Sequence, residues 1–419
     1  MRFLLKIAFR NLFRNKLRTS VSVFAIAFSV MVVVFARGYI TGLIDSIAAE
    51  HIQYNSGHIK IVAKGYKEQE RLLPLNYPVD GLNNQSLDGM LAKLQEINNV
   101  KMVIPRLKFG AVVSTEKDLV TMSGWGVDPR RETAFTRIKD YLVEGRLPEL
   151  GRMEVMMGTA LLRKINRRLG DKVTILFNTA TGSPNGATFK IVGRLESGIK
   201  LLNEVVFYLP LDQAQRLLDM DGQVTELLLA LPDKKMVPRV LPEVKASLAD
   251  AGASDRYLAL GYKETSDLIP YMEIAKSIYN TIYIFLVLLA CIVVVNTMIM
   301  IVKERTKEIG MMAALGLEGK EILRLFMTEG AIMGAIGSLI GAVLGALING
   351  YFAKTGYNLT AATSGFSSDI IFNSIVYPVS SLSNTVFAFA LGVVVVTTAC
   401  FIPARKAAKL EPIEAMRES

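Results

Sequence analysis

The sequence comes closest to a nucleotide-binding loop in the stretch ALGLEGKE, residues 314–321. A phosphate-binding loop follows the pattern G-x-x-x-x-G-K-[ST], in which backbone amides and the lysine hold the phosphates and the hydroxyl binds Mg²⁺. Gly319 and Lys320 match this pattern, but Ala314 stands at the first glycine and Glu321 at the hydroxyl residue. We therefore predict that this chain does not hydrolyse ATP and is not an enzyme.

Few other residues could do chemistry. The histidines are His51 and His58, and the cysteines Cys291 and Cys400 stand in long apolar stretches. A zinc site takes three or four such ligands at close spacing, and the sequence contains no G-x-S-x-G nucleophile motif. We predict no catalytic residue, no metal and no cofactor in this chain, and we interpret the GWG at 124–126 as a turn.

The region around the failed loop has the pattern of a surface for another protein. Five of the six residues from Lys303 to Glu308 are charged, and no charge follows from Ile309 to Leu317. Nine residues cannot cross a bilayer, and an apolar patch of this kind in water usually marks a binding site. Two interpretations stay open: the segment docks a partner, or it packs back on the chain's own membrane spans.

The local pattern predicts a bent helical elbow over residues 303–329. A helix should continue through the charged turn, and Gly310 and Gly316 should weaken it, with Gly316 ending it. A second short helix should run from Glu318 to Thr328. The predicted apolar patch of the elbow consists of Ile309, Met311, Met312 and Leu315.

Four apolar stretches are long enough to span a membrane, and the chain is 51% hydrophobic. Lysine and arginine flank the spans at both termini and in the elbow, whereas the loop between the last two spans carries only Lys354. By the positive-inside rule both termini and the elbow are cytoplasmic. The predicted segments are an interfacial helix at 1–18, spans at 19–44, 273–302, 330–353 and 384–403, an external domain at 45–272, the elbow at 303–329, an external loop at 354–383 and a cytoplasmic tail at 404–419.

The net charge of +10 is largely explained by these flanks, so we expect no nucleic-acid partner. An uncleaved anchor is a better interpretation of the first span than a signal peptide, because no small-x-small cleavage site follows it. The external domain alternates strand patterns with helical ones, which predicts an α+β fold. We place an inserted lobe within it at about 130–225.

Glycine recurs every fourth residue in the third span, at Gly337, Gly341 and Gly345. Small residues at this spacing let helices approach closely in lipid. The stripe predicts helix packing, either within the chain's own bundle or in a dimer.

The chain resembles the FtsX/MacB-like class of ABC permeases. The resemblance rests on KIAFRNLFRNKLRTSVSVFAIA near the start, SGHIKI entering the external domain, NTMIMIVKERTKEIGMMAALG after the second span and PARKAAKLEPIEAMR at the end. Within that class it is most similar to the lipoprotein-releasing LolC/LolE type, through RRLGDKVTILF, FKIVGRLESG and YLPLDQAQRLLDM. The resemblance implies an α-helical membrane protein with four transmembrane helices and a large α+β, MacB-like periplasmic core domain between the first and second.

The resemblance also implies partners and a site. A separate cytoplasmic ABC ATPase dimer, which binds ATP and Mg²⁺, would dock on the elbow of a bacterial inner-membrane protein. A second permease subunit, the same chain or a related one, would pair through the spans. The implied coupling residues are Glu304, Arg305, Lys307, Glu308, Ile309, Gly310, Met312, Leu315 and Gly316.

The implied substrate is a lipoprotein or other amphiphile, released from the inner membrane toward the outer one. Two alternatives stay open: efflux of hydrophobic drugs, peptides or lipids with a periplasmic adaptor, and regulation of a cell-wall hydrolase. In the lipoprotein-releasing group one subunit holds a periplasmic carrier with a hairpin. The corresponding candidate residues here are Asn178, Thr179, Gly182, Ser183, Pro184, Asn185 and Gly186, in a shorter loop.

Overall fold

A computed structural model describes residues 7–11, 14, 16–82, 85–115, 118–266, 268–358 and 375–410. These residues form two compact units. One, the helix unit, takes residues from 1–44, 272–357 and 376–419; the other, the sheet domain, takes residues from 45–271 and 358–375. The predicted interfacial helix and the end of the tail lie partly outside the described residues.

Among the described residues, four helices are long and apolar enough to cross a membrane. The first, α1 (Lys16–His51), continues into a π-helical turn, Ile52–Ser56. The others are α9 (Leu268–Glu304), α11 (Gly319–Thr355) and α12 (Leu382–Ala399), and α12 is followed by the short helix α13 (Phe401–Ala408). Each long helix begins before or ends beyond the apolar stretch that predicts it, because helical hydrogen bonding does not stop where polar residues begin.

The glycine stripe of α11 packs against α1 of the same chain. A Cβ atom added to Gly341 would lie 2.3 Å from the carbonyl oxygen of Ala27 and 2.9 Å from the Cβ of Val30. Gly337 faces Ile26 and Gly345 faces Val34 in the same way. The glycines therefore let two helices approach at backbone distance.

The sheet domain contains strands and short helices in alternation. Its strands are β1 (Ile59–Ala63), β2 (Gly81–Leu82), β3 (Gln85–Ser86), β4 (Met102–Ser114), β5 (Leu119–Val127), β6 (Leu142–Gly145), β7 (Glu154–Gly158), β8 (Lys172–Asn178), β9 (Pro184–Leu195), β10 (Val206–Pro210), β11 (Glu226–Ala230) and β12 (Tyr257–Gly261). Two further short strands, β13 (Tyr357–Asn358) and β14 (Ile375–Val376), pair with each other. Its helices are α2 (Lys64–Gln69), α3 (Leu87–Gln95), α4 (Pro129–Phe135), α5 (Thr159–Lys164), α6 (Lys200–Glu204), α7 (Leu211–Leu217) and α8 (Val237–Asp250).

Six strands close into a barrel in the order β4, β5, β10, β7, β9, β8 and back to β4. Its interior holds Phe109, Phe177 and Phe207, with Phe109 ring centroids 5.8 Å from each of the other two. Because β4 and β5 belong to this barrel, the predicted lobe at 130–225 is too narrow: its strands begin at Met102. The turn predicted for GWG is also wrong, since the motif lies inside β5. A Cβ atom on Gly124 would lie 2.3 Å from the Phe109 ring, so the glycine makes room for the barrel's core.

The candidate carrier hairpin is the tight connection between β8 and β9. Asn178 ends β8 and Pro184 begins β9; Thr179 N–H donates to the Ser183 carbonyl at 2.9 Å, and Gly182 has φ +80°. The tip is tied to the end of α7, where Ala180 N–H donates to the Leu218 carbonyl at 2.9 Å. Asn185 also donates to the Leu217 carbonyl at 3.1 Å, and Gly186 lies within β9. The hairpin is therefore held against helix α7 of the sheet domain by these hydrogen bonds.

Candidate functional site

The elbow contains a sharper break than its sequence predicts. Helix α9 ends at Glu304, and Arg305 leaves the helical conformation with φ −102° and ψ 15°. A new helix, α10 (Thr306–Ala314), then runs through Gly310. Gly316, at φ +95°, ends the turn in the left-handed region that favours glycine. The prediction of one helix through the charged turn is therefore wrong, whereas the glycine stop is where the sequence puts it.

The second half of the elbow is the first part of α11, not a separate short helix. Glu318 and Glu321 form a capping box, in which each side chain accepts a hydrogen bond from the backbone N–H of the other residue. Glu321, the residue that rules out a phosphate loop, thus helps to cap the start of a helix of 37 residues. The elbow is therefore continuous with one of the four helices that are long and apolar enough to cross a membrane.

The apolar patch of the elbow divides into two parts. Ile309 is fully buried in the core of the helix unit, and Met312 packs against the same core. Met311 and Leu315 point away from it, with 51% and 85% of their surface exposed. Gly310 is buried beside Ile309. One face of α10 therefore anchors the elbow, and Leu315, directly after the helix, stays exposed.

Three of the four charged residues that were predicted to contact an ATPase form ion pairs within the chain. Glu308 pairs with Arg14 at 2.5 Å and with Arg305 at 3.0 Å, and Glu304 pairs with Arg18. Hydrogen bonds from Arg14 and then Arg305 hold the pKa of the Glu308 carboxyl below its usual range. Among the four, Lys307 is exposed and has no ion pair in the described part of the chain. The polar residues thus hold the elbow to the N-terminal segment.

Glu329 belongs to the same network of polar contacts as the charged elbow residues and was not predicted from the sequence. Only 2% of its surface is exposed, and its carboxylate accepts hydrogen bonds from Asn11 at 2.6 Å and Arg305 at 3.4 Å. It therefore links the N-terminal segment, the break at Arg305 and helix α11. A single acidic residue between the buried Phe326 and the close-packed Gly330 was the available indication of this role.

Replacing Arg305 should lower the stability of the fold more than replacing Glu329. In Arg305→Leu the buried Glu329 carboxylate keeps only Asn11, and an unpaired buried charge costs about 2 kcal/mol or more. In Glu329→Leu, Arg305 keeps Glu308, so the loss should be smaller. Thermal unfolding of the two variants in detergent measures the difference. Equal losses, or a greater loss for Glu329→Leu, would contradict this description of the cluster.

Comparison with known families identifies the family of this chain. The model of the MacB-like periplasmic core domain matches residues 19–247, and that of the FtsX-like permease C-terminal region matches residues 280–412. The chain is an FtsX-like permease with a MacB-like periplasmic core domain. The second match contains the elbow, α11 and α12, so this ABC permease has its family's membrane region around the site described above.

Relatives of this chain include proteins named for lipoprotein release and proteins named for export. The lipoprotein-releasing system transmembrane protein LolC of Neisseria meningitidis is 23% identical over 311 residues, covering 70% of this chain and 72% of that protein. The macrolide export ATP-binding/permease protein MacB of Nitrobacter winogradskyi is 26% identical over 311 residues, covering 73% of this chain and 43% of that protein. Both lipoprotein release and export are thus represented among proteins similar to this permease.

Proposed function

We propose that this permease couples a separate cytoplasmic ABC ATPase dimer to work on lipoproteins at the outer face of the bacterial inner membrane. The observation that carries the proposal is the division of the elbow into an anchored face and an exposed Leu315. A rigid base with one protruding apolar side chain suits insertion into a groove of another protein. The lysines and arginines beside the spans support a cytoplasmic position for the elbow.

The long helices support a mechanical form of coupling. ATP binding would bring the two ATPases together and move the elbows docked on them. The elbow is continuous with α11, which packs on α1 along the glycine stripe. Closely packed helices shift as bodies, so motion at the elbow would pass along α11 and α1. A second permease subunit would complete the assembly, and a periplasmic carrier could receive the lipoprotein.

Lipoprotein release is the preferred substrate assignment because the similarity to LolC covers about equal shares of both chains. The similarity to MacB, with an export function in its name, favours efflux of hydrophobic compounds as the second candidate.

Depletion of the permease in its own host tests the substrate. If it releases lipoproteins, acylated proteins destined for the outer membrane should accumulate in the inner membrane, measured by fractionation and mass spectrometry. The Leu315→Asp variant, expressed at the same level, should fail to reverse the accumulation. Normal sorting of lipoproteins, together with increased sensitivity to hydrophobic compounds, would replace the proposal with efflux.

A further inference from the structure

A cluster of buried charges lies where the first long helix ends on the sheet. Lys60 on β1, Arg106 and Lys108 on β4 and Glu226 on β11 are buried on one face of the sheet. The cross-strand register places Lys60 opposite Leu228 and Arg106 opposite Glu226, which puts the charged side chains on a shared face. The opposite face packs into an apolar core through Ile59, Ile61, Leu227 and Leu229.

Three buried cations meet three carboxylates in this cluster, and the more exposed Lys67 also pairs with one of these carboxylates, Glu70, at 3.3 Å. Arg106 pairs with Glu132 on α4 through two contacts, at 2.6 and 3.1 Å. Lys60 and Lys108 share the Glu226 carboxylate, at 2.6 and 2.8 Å, and Lys60 also pairs with Glu70 at 2.5 Å. Apolar residues of similar size are often as stabilising as buried ion pairs. Stability alone therefore does not explain why the face carries charge.

The cluster meets the carbonyl end of the long helix. Helix α1 passes into the turn Ile52–Ser56, whose last carbonyls have no partner within the helix. The Arg106 guanidinium donates to the Tyr54 carbonyl at 2.8 Å and to the Gln53 carbonyl at 3.2 Å. Lys108 donates to the side chain of Asn55 at 3.0 Å. A cation at this end also opposes the negative end of the helix dipole.

The main chain joins the same two elements. Gly57 ends the turn at φ +62°, and His58 N–H donates to the Leu229 carbonyl at 2.9 Å before β1 begins. The end of α1 is therefore held to the sheet by its backbone on one side and by Arg106 on the other.

We propose that Arg106, held by Glu132, is a positioning residue that fixes the end of α1 to the sheet, so that motion of the helix moves the sheet with it. The part of this proposal that concerns motion rests on the proposed coupling function. The attachment of the helix end to the sheet is independent of that function and can be measured in the permease alone.

The test replaces both partners, Arg106→Met with Glu132→Met, in the full-length permease. The replacement removes one positive and one negative charge, so the net charge of the cluster does not change and the domain should fold with an unchanged unfolding temperature. Hydrogen exchange at the amides of residues 53–57 should accelerate at least tenfold. Glu132→Gln keeps the hydrogen bonds from Arg106 to the Gln53 and Tyr54 carbonyls, so it should accelerate this exchange less, although the unpaired buried guanidinium should lower the unfolding temperature. Unchanged exchange in both variants would overturn the proposal.

A second measurement uses the permease with its native ATPase. Lipoprotein released per ATP hydrolysed should fall at least tenfold in the double variant. The matched control is Asp45→Asn with Lys234→Met, which removes a partly exposed ion pair of 2.8 Å on the same helix end and should leave the ratio unchanged. Faster exchange with an unchanged release ratio would overturn the role of Arg106 in transmission. If the proposed function is wrong, the wild type will release no lipoprotein either, and the hydrogen-exchange result will be unaffected.

Discussion

Leu315→Asp should abolish coupling between this permease and the ABC ATPase proposed as its partner, while leaving insertion in the membrane intact. The side chain is 85% exposed, so the charge costs the free permease almost nothing. In the docked state the same charge would be buried in an apolar groove without a partner. Loss of a central apolar contact costs about 3 kcal/mol, which is about a 100-fold loss of affinity. Co-purification with the native ATPase and stimulation of its activity measure the effect.

The control for this variant is another exposed leucine. Leu72 lies in the sheet domain with 77% of its surface exposed, and Leu72→Asp should bind the ATPase like the wild type. Undiminished binding and stimulation by Leu315→Asp would show that α10 does not dock the ATPase through this face.

Gly341→Val should unfold the helix unit at a much lower temperature. The new Cβ would lie 2.3 Å from the Ala27 carbonyl oxygen, and a backbone atom cannot move aside as a flexible side chain can. Forcing two packed helices apart costs about 3 kcal/mol. Cys291 and Cys400 are free and buried in the helix unit, so the temperature at which they react with a thiol dye reports its unfolding.

Gly350→Val is the matched control, because a Cβ at Gly350 meets no atom within 4 Å. It stands on the same helix and introduces the same β-branched residue, so the intrinsic helix preference cancels. If both variants unfold at the same temperature, the contact between α11 and α1 is not what holds the helices together.

The fold class was predictable because its indicators are local. Apolar length predicts the four long helices, and alternation predicts strands such as β8, from Lys172 to Asn178. Closure of the barrel was not predictable, because pairing of β4 with β8 joins residues far apart in sequence. The same limit explains the wrong prediction at Gly124. A glycine in the sequence indicates a turn, whereas its packing against the Phe109 ring is visible only in the tertiary structure.

The elbow could be located from its sequence, but its contacts could not be assigned. Ile309, Met312 and Leu315 share apolar character, and only the tertiary structure separates the buried Ile309 from the exposed Leu315. Glu304 and Glu308 are satisfied by the N-terminal Arg18 and Arg14, at sequence separations of nearly 300 residues. A pattern of charges in the sequence indicates that oppositely charged side chains lie nearby, but it does not identify them.

The most direct test of the central claim is mass spectrometry of the intact permease purified with its native ATPase. The account predicts that a protein acylated at its N-terminus co-purifies when ATP is withheld and leaves when ATP is added. It also predicts that the Leu315→Asp permease, purified alone, retains the acylated protein after the ATPase and ATP are added. Purified complexes that hold no acylated protein, or whose acylated protein is unaffected by ATP in the wild type, would contradict the account.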